Sequence, residues 1–250
     1  MPSSKNSQTF PYIACVLAFI AIAIMIGLGI WQLDRKAEKD ARLDQIQQAQ
    51  AQDNVDIAKV AEEPYLYEDF IVSAKGNANN QIFFIDNKIV SGKPGYHVLV
   101  PLQTNQGMVM LNLGWVSSTG SREVLPKVKI PMLSEIQGVL YIPTLNKIIT
   151  ETNSRYGQFP VLLQQVDLEE IKKHIGKPLL PFVLRLTESA PQSESNFIRD
   201  WQVVTMSPEK HLGYAIQWFG LAIAALTVFL LTMLKWMNGP QHRLEQTEQD

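Results

Sequence analysis

His211, Tyr214 and Trp218 stand at the head of one long apolar run, and Trp31, Gln32 and Arg35 stand at the tail of another. These residue types could do a definite chemistry. A neutral imidazole is a common metal ligand, an arginine fork matches a carboxylate, and Trp and Tyr present flat amphipathic rings. Together they suit an amphiphile with a flat apolar ring, a bound metal and acidic side groups, and haem is such a molecule. The same residues also serve a plainer purpose. Aromatic rings anchor helices at membrane interfaces, and arginine snorkels to headgroups. Residue type alone leaves both readings open.

The elements that must position these residues are the two runs themselves. Residues 7–33 carry no charge before Asp34, and 212–234 carry none; each exceeds the roughly 20 residues that cross a bilayer as a helix. We therefore assign residues 1–9 to a short tail, 10–33 to a first span, 34–210 to a domain outside the membrane, 211–234 to a second span and 235–250 to a second tail. With two spans, the end of the first and the start of the second meet the same bilayer face. Trp31, Gln32 and Arg35 then come level with His211, Tyr214 and Trp218. At about 100° per residue, His211, Ala215, Trp218, Ala222 and Ala225 fall along one stripe. Ala14, Ala18, Ala21, Met25, Leu28 and Gln32 form another, continued by Arg35 and Lys39. Small residues there admit a second helix or a flat ligand.

The first span is longer than the apolar core of a signal peptide, about 7–15 residues, and its Ala21-Ile22-Ala23 pattern lies too deep for cleavage, so it reads as an uncleaved anchor. The segment before it has one Lys and no Arg, unlike a mitochondrial transit peptide, and a bacterial inner membrane is expected. Arg35, Lys36, Lys39, Arg42 and Lys210 lie near the membrane on the domain side. The positive-inside bias would hold such a domain in the cytoplasm, but long domains translocate largely regardless of charge. Charge leaves the side open.

Between the spans, residues 34–52 are strong helix formers without an apolar stripe, and read as a solvated extension of the first helix. Short β-type runs follow at 67–74, 81–90, 96–103, 108–116, 136–142, 160–165, 179–187 and 201–205, with Asn-rich breaks at 77–80 and 105–107 that suit hairpins. Asp167 caps one helix, ended by Gly176 and Pro178. The expected class is a membrane-anchored α+β protein: two transmembrane helices flanking a mainly antiparallel β domain. Within that domain no catalytic constellation emerges. His97 and His174 stand in no metal-ligand spacing and read as structural, and Asp86 and Asp167 have no paired carboxylate. Cys15 is the single cysteine and the 8 Met are scattered, which excludes an intramolecular disulfide and a paired-thiolate copper site. With 22 Lys+Arg against 24 Asp+Glu and a net charge of -2, nothing favours nucleic acid as a partner.

At four places the chain resembles the surfeit locus family of assembly factors for haem-copper cytochrome c oxidase. Leu28-Gly-Ile-Trp-Gln-Leu-Asp-Arg35 is similar to that family's LGxWQxxR. Phe84-Ile-Asp-Asn87 with Gly95-Tyr-His-Val-Leu-Val-Pro-Leu102 is similar to its DNR and GYHVLTPL segments. Val109-Met-Leu-Asn-Leu-Gly-Trp-Val116 is similar to VLVNRGWV, and His211-Leu-Gly-Tyr-Ala-Ile-Gln-Trp-Phe-Gly220 to HLxYAxxWFGLA. Lys88, Leu113 and Glu209 depart from the pattern. The resemblance implies a protein that is not an enzyme, and that transiently holds or presents haem a while the oxidase is assembled. It implies His211 as the ligand of the haem iron, with Tyr214, Trp218, Trp31, Gln32 and Arg35 around the group. The implied partners are the lipid bilayer, the catalytic subunit of the oxidase and haem a synthase. The domain is then periplasmic. A scaffold that clasps the oxidase subunit without ligating haem is the competing reading. A two-span sensor would need a signalling module after the second span, where only residues 235–250 stand.

Overall fold

A computed structural model describes residues 12–121, 124–149, 151 and 156–238. The elements run α1 (Tyr12–Gln50), β1 (Val55–Asp56), α2 (Ile57–Val60), β2 (Ile71–Ala78), β3 (Phe83–Val90), β4 (Lys93–Thr104), β5 (Gly107–Ser117), β6 (Glu135–Tyr141), β7 (Val161–Leu163), α3 (Leu168–Ile175), β8 (Leu179–Leu186) and α4 (Pro208–Met237). They form two units, one of Met1–Leu43 with Val204–Asp250 and one of Asp44–Val203.

In the first unit α1 and α4 pack side by side and antiparallel. Cys15 Sγ lies 3.8 Å from Met233 Sδ, the Phe19 and Phe229 rings meet edge to face at 5.1 Å, and Gln32 reaches His211. Gly29 makes the closest approach possible, because a Cβ there would sit 2.7 Å from the Phe219 ring. The small-residue stripe expected on α4 is the packed one, with His211, Ala215 and Ala222 buried. Both helices are long and apolar enough to cross a membrane, and only 11% and 6% of their most apolar stretches are buried. A core helix of a soluble domain would bury far more. The polar stretch from Asp34 continues α1 without a break to Gln50, as its helix formers require, and Lys36 pairs with Asp40 one turn on, at 2.5 Å.

The second unit is a mixed barrel. β2, β6, β8, β5 and β4 pair in that order, and β2 pairs again with β4 to close the ring. The closure depends on the length of β4. One of its edges follows β5, while the other is divided, Lys93–Leu99 against β3 and Leu102–Thr104 against β2. Alternate residues point inward, so Val98, Val100, Leu102, Val109, Leu111, Leu113, Leu184 and Leu186 fill the barrel. The other face of β3, β4, β5 and β8 is covered as well, and Phe83, Ile85, Leu99, Met110 and Val183 pack there against Ile171 of α3 and Val161 and Leu163 of β7. That double coverage explains why β5 is buried at nearly every position instead of alternating. Asp167 caps α3 by accepting from the Glu169 and Glu170 amides at 3.0 Å, and Gly176 ends it in the left-handed conformation, as the sequence predicts.

Two expectations need correction. Residues 201–205 form no strand, because the chain there leaves the sheet and the Trp201 indole instead donates to the Leu186 carbonyl at 2.9 Å. The 77–80 break is not a hairpin, since β2 pairs with β6 and β4 but not with β3. The sheet is mainly antiparallel, as expected: five of the pairings are antiparallel, and three, β1–β2, β3–β7 and β5–β8, are parallel. The 105–107 break is a hairpin as expected, with Thr104 paired to Gly107. One further feature fixes the path after β8. The segment Phe197–Arg199 crosses β5 at Gly114, whose φ is +128°, and a Cβ there would lie 2.8 Å from the Ile198 carbonyl oxygen and 2.9 Å from Phe197 Cβ. Only glycine fits both the backbone and the crossing.

Candidate functional site

Within the helix pair, the structure joins Gln32 and His211. The imidazole Nδ1 lies 2.7 Å from Gln32 Oε1, and His211 is 7% exposed. A carboxamide oxygen only accepts, so Nδ1 donates to it, and in a neutral imidazole Nε2 then holds the lone pair. That is the tautomer of a metal-ligating histidine, whose other nitrogen donates to a carbonyl or carboxylate. α1 supplies the acceptor because residue 32 closes its small-residue stripe. α4 supplies the ring in its first turn, three residues after Pro208 starts the helix.

Arg35 is one turn beyond Gln32 on the same face of α1. Its Nη1 pairs with Glu38 at 2.7 Å, while its Nε is buried and has no hydrogen-bond partner. A buried unmatched donor costs on the order of 1–3 kcal/mol, so this guanidinium has capacity to spare for an acceptor. Trp218 and Gln32 are partly buried, whereas Trp31 and Tyr214 are 50% and 46% exposed. The structure thus joins Gln32 and His211, sets Arg35 beside them, and leaves Trp31 and Tyr214 facing outward. Farther along the same two helices an apolar groove of about 600 Å³ runs between Ala14, Ala18 and Met25 on α1 and Ala225, Phe229 and Met233 on α4.

The other histidines are not alike. His174 is buried in the α3 layer, its ring 4.7 Å from Tyr156 and 6.1 Å from Phe83, with Glu170 Oε1 3.8 Å away. Burial lowers its pKa more than Glu170 raises it, and the ring serves as packing. His97 lies on the barrel with its ring edge-on to Trp201 at 5.4 Å. Burial, then the charges of Lys88 and Arg185, bring its pKa down to about 3. No motif spacing announces that grouping, because Lys88, His97, Arg185 and Trp201 come from three strands and a loop. Only strand register brings them together. Among the described residues no group of three His, Cys, Asp or Glu side chains could hold a metal ion.

A barrel whose chain enters and leaves through two helices fit to cross a membrane, with a glutamine-oriented histidine at the start of the second, defines the class: a domain carried between two candidate spans. The model of the SURF1 family matches residues 19–223, and the chain belongs to that family, which is linked to cytochrome oxidase assembly. It is 25% identical over 225 residues to a SURF1-like protein of Rickettsia conorii, covering 88% of this chain and 91% of that one. It is 26% identical over 219 residues to a SURF1-like protein of Rickettsia prowazekii, covering 86% and 87%. A SURF1-like protein of Dictyostelium discoideum is 24% identical, with 93% and 98% covered. The match contains both helix ends that carry Gln32, Arg35 and His211.

Proposed function

We propose that this protein is an oxidase assembly factor that holds haem a at the head of its helix pair and presents it to the catalytic subunit of cytochrome c oxidase. The observation that carries the reading is the 2.7 Å contact from His211 Nδ1 to Gln32 Oε1, which leaves Nε2 as a ligand for iron. The residues suit the group on two further counts. The half-exposed Arg35 guanidinium, paired along its own helix with Glu38, is a donor for a propionate, and Trp218, on the stripe of His211, offers a flat wall for the ring. The haem is cargo: iron supplies an axial position for the imidazole, and no bond in the porphyrin is made or broken by the chain. Haem a synthase is the corresponding donor. The test is an absorbance spectrum of the full chain purified from cells that make haem a, with and without His211.

The scaffold reading, in which the domain clasps the oxidase subunit and no haem is ligated, gains from one observation. His211 is already buried and hydrogen-bonded, so its bond to Gln32 could serve only to lock the two helices. A purified chain with no haem chromophore, in cells with ample haem a, would favour it.

Two expected results follow. The first concerns Arg35. Arg35→Lys keeps the charge and the reach to headgroups but loses the planar fork, so haem affinity should fall by about three- to tenfold, only part of the about 1.5–3 kcal/mol of a hydrogen bond to a charged group. Full occupancy in the Lys variant, read from the absorbance of purified protein, would leave simple anchoring as the role of Arg35. The second concerns topology. With the domain in the periplasm of a bacterial inner membrane, a reporter that works only after export should be active when inserted at Asn105, in the exposed β4–β5 turn. Activity of a cytoplasm-only reporter at that site would reverse the orientation.

A further inference from the structure

On the outside of the barrel, within the second unit, a cavity of about 400 Å³ is bounded by Arg185, Thr187, Gln50 and Trp201. The Arg185 guanidinium lies 3.6 Å over the Tyr141 ring and 5.7 Å from the Trp201 ring. His97 meets Trp201 from its own side at 5.4 Å. Lys88 lies outside the lining but within electrostatic reach of Arg185: burial and then the charge of Arg185 lower its pKa, and burial foremost lowers that of Arg185. His97, with a pKa near 3, is neutral at ordinary pH. Among the described residues no carboxylate is in ion-pair contact with Lys88, His97 or Arg185. Asp69 and Glu68 act on Arg185 at longer range, and Asp69 with the exposed Glu188 and Asp200 also borders the cavity.

Partly buried cations held together without an ion pair oppose folding, and such arrangements gather at binding sites. The adjacent Arg199 shows the contrast: its guanidinium is fully engaged by backbone carbonyls, whereas that of Arg185 stacks on the Tyr141 ring and lines the cavity. We propose that this cavity is a binding site for a small oxyanion, a carboxylate or phosphate group, gripped by the fork of Arg185 against the wall of Trp201 and attracted by Lys88. An arginine fork fits either group in a bidentate manner. The carboxylates at the border select for a compact ligand and repel an extended polyanion. Thr187 and Gln50 supply neutral hydrogen-bonding partners beside it.

The test uses the full chain in neutral detergent micelles, titrated calorimetrically at constant ionic strength with inorganic phosphate and, separately, with succinate. Saturable binding of one probe is expected, and which one binds identifies the group. Arg185→Gln should weaken it at least tenfold and Lys88→Gln about threefold, while Lys75→Gln, in an exposed pair with Glu135, should leave it unchanged. Should Arg185→Gln fail to fold, Lys88→Gln carries the test alone. Absence of saturable binding by both probes overturns the site, and so does binding that survives intact in Arg185→Gln or, if only that variant folds, in Lys88→Gln.

Discussion

His211→Ala is expected to leave a folded, inserted chain whose haem is bound weakly and with a changed spectrum. The side chain is buried in the first turn of α4, and the helix beyond it is held by Ala215, Ala222, Phe219 against Gly29 and Phe229 against Phe19. Loss of one imidazole in a 30-residue helix therefore removes a ligand without removing the pair. Burying a porphyrin against apolar walls still supplies about 25 cal/mol per Å², so some affinity survives, while the absorbance bands that report the axial ligand move. Gln32→Leu sharpens the result. It leaves the imidazole in place but deprives Nδ1 of its acceptor, and outer partners of ligating histidines are worth about 10–100-fold in metal affinity. The two variants together separate ligation from helix locking. If His211 only locked the helices, both would loosen the pair equally and neither would move the spectrum. His97→Ala should leave the spectrum as it is, since that ring belongs to the barrel and packs on Trp201. An unchanged spectrum in His211→Ala, or a shifted one in His97→Ala, rejects the ligand assignment.

The sequence told more about the helices than about the barrel, and the reason is physical. A span declares itself by an uninterrupted apolar run, and the 3.6 period then fixes which residues share a face. That argument places Gln32 on the stripe of α1 and His211 on that of α4, and the two are hydrogen-bonded. It also put Trp31 and Tyr214 level with them, but level is not contact, and both rings face outward. In the barrel, seven of the expected strands appear at their places because β-branched and aromatic runs are local. Pairing is not local. The split edge of β4, the parallel β5–β8 contact and the crossing at Gly114 depend on residues tens of positions apart, and a period of two says nothing about which strand lies next. The expected strand at 201–205 failed for the same reason. Trp-Gln-Val-Val-Thr has strand propensity, but every barrel strand beside it is already paired on both edges, so the segment lies over the outer face and Trp201 becomes a wall.

Arg199→Met should be among the most damaging single substitutions in the barrel domain, although Arg199 is distant in sequence from every motif discussed. The residue is 5% exposed. Its Nε donates to the Leu113 carbonyl at 3.1 Å, Nη1 to those of Thr187 at 3.1 Å and Ala190, and Nη2 to that of Pro191 at 2.8 Å. One guanidinium thus ties β5 to the chain that leaves β8, at the crossing which Gly114 permits. Methionine keeps most of the volume but offers no donor, and each buried carbonyl left unmatched costs about 1–3 kcal/mol. With Leu113 and Ala190 both buried, a loss of about 3–5 kcal/mol is expected, a large part of the stability of a domain this size. Arg199→Lys should recover only part of it, because a single ammonium cannot span carbonyls on opposite sides of the fork. Arg185→Met offers the counter-case, with a change near zero, since its charge is held without an ion pair and an apolar side chain relieves that burden. Thermal unfolding of the full chain, followed by near-ultraviolet circular dichroism, compares the three. Equal losses at 185 and 199 would mean that the two arginines do the same structural work, and the distinction between a carbonyl clamp and a ligand-facing cation would fall.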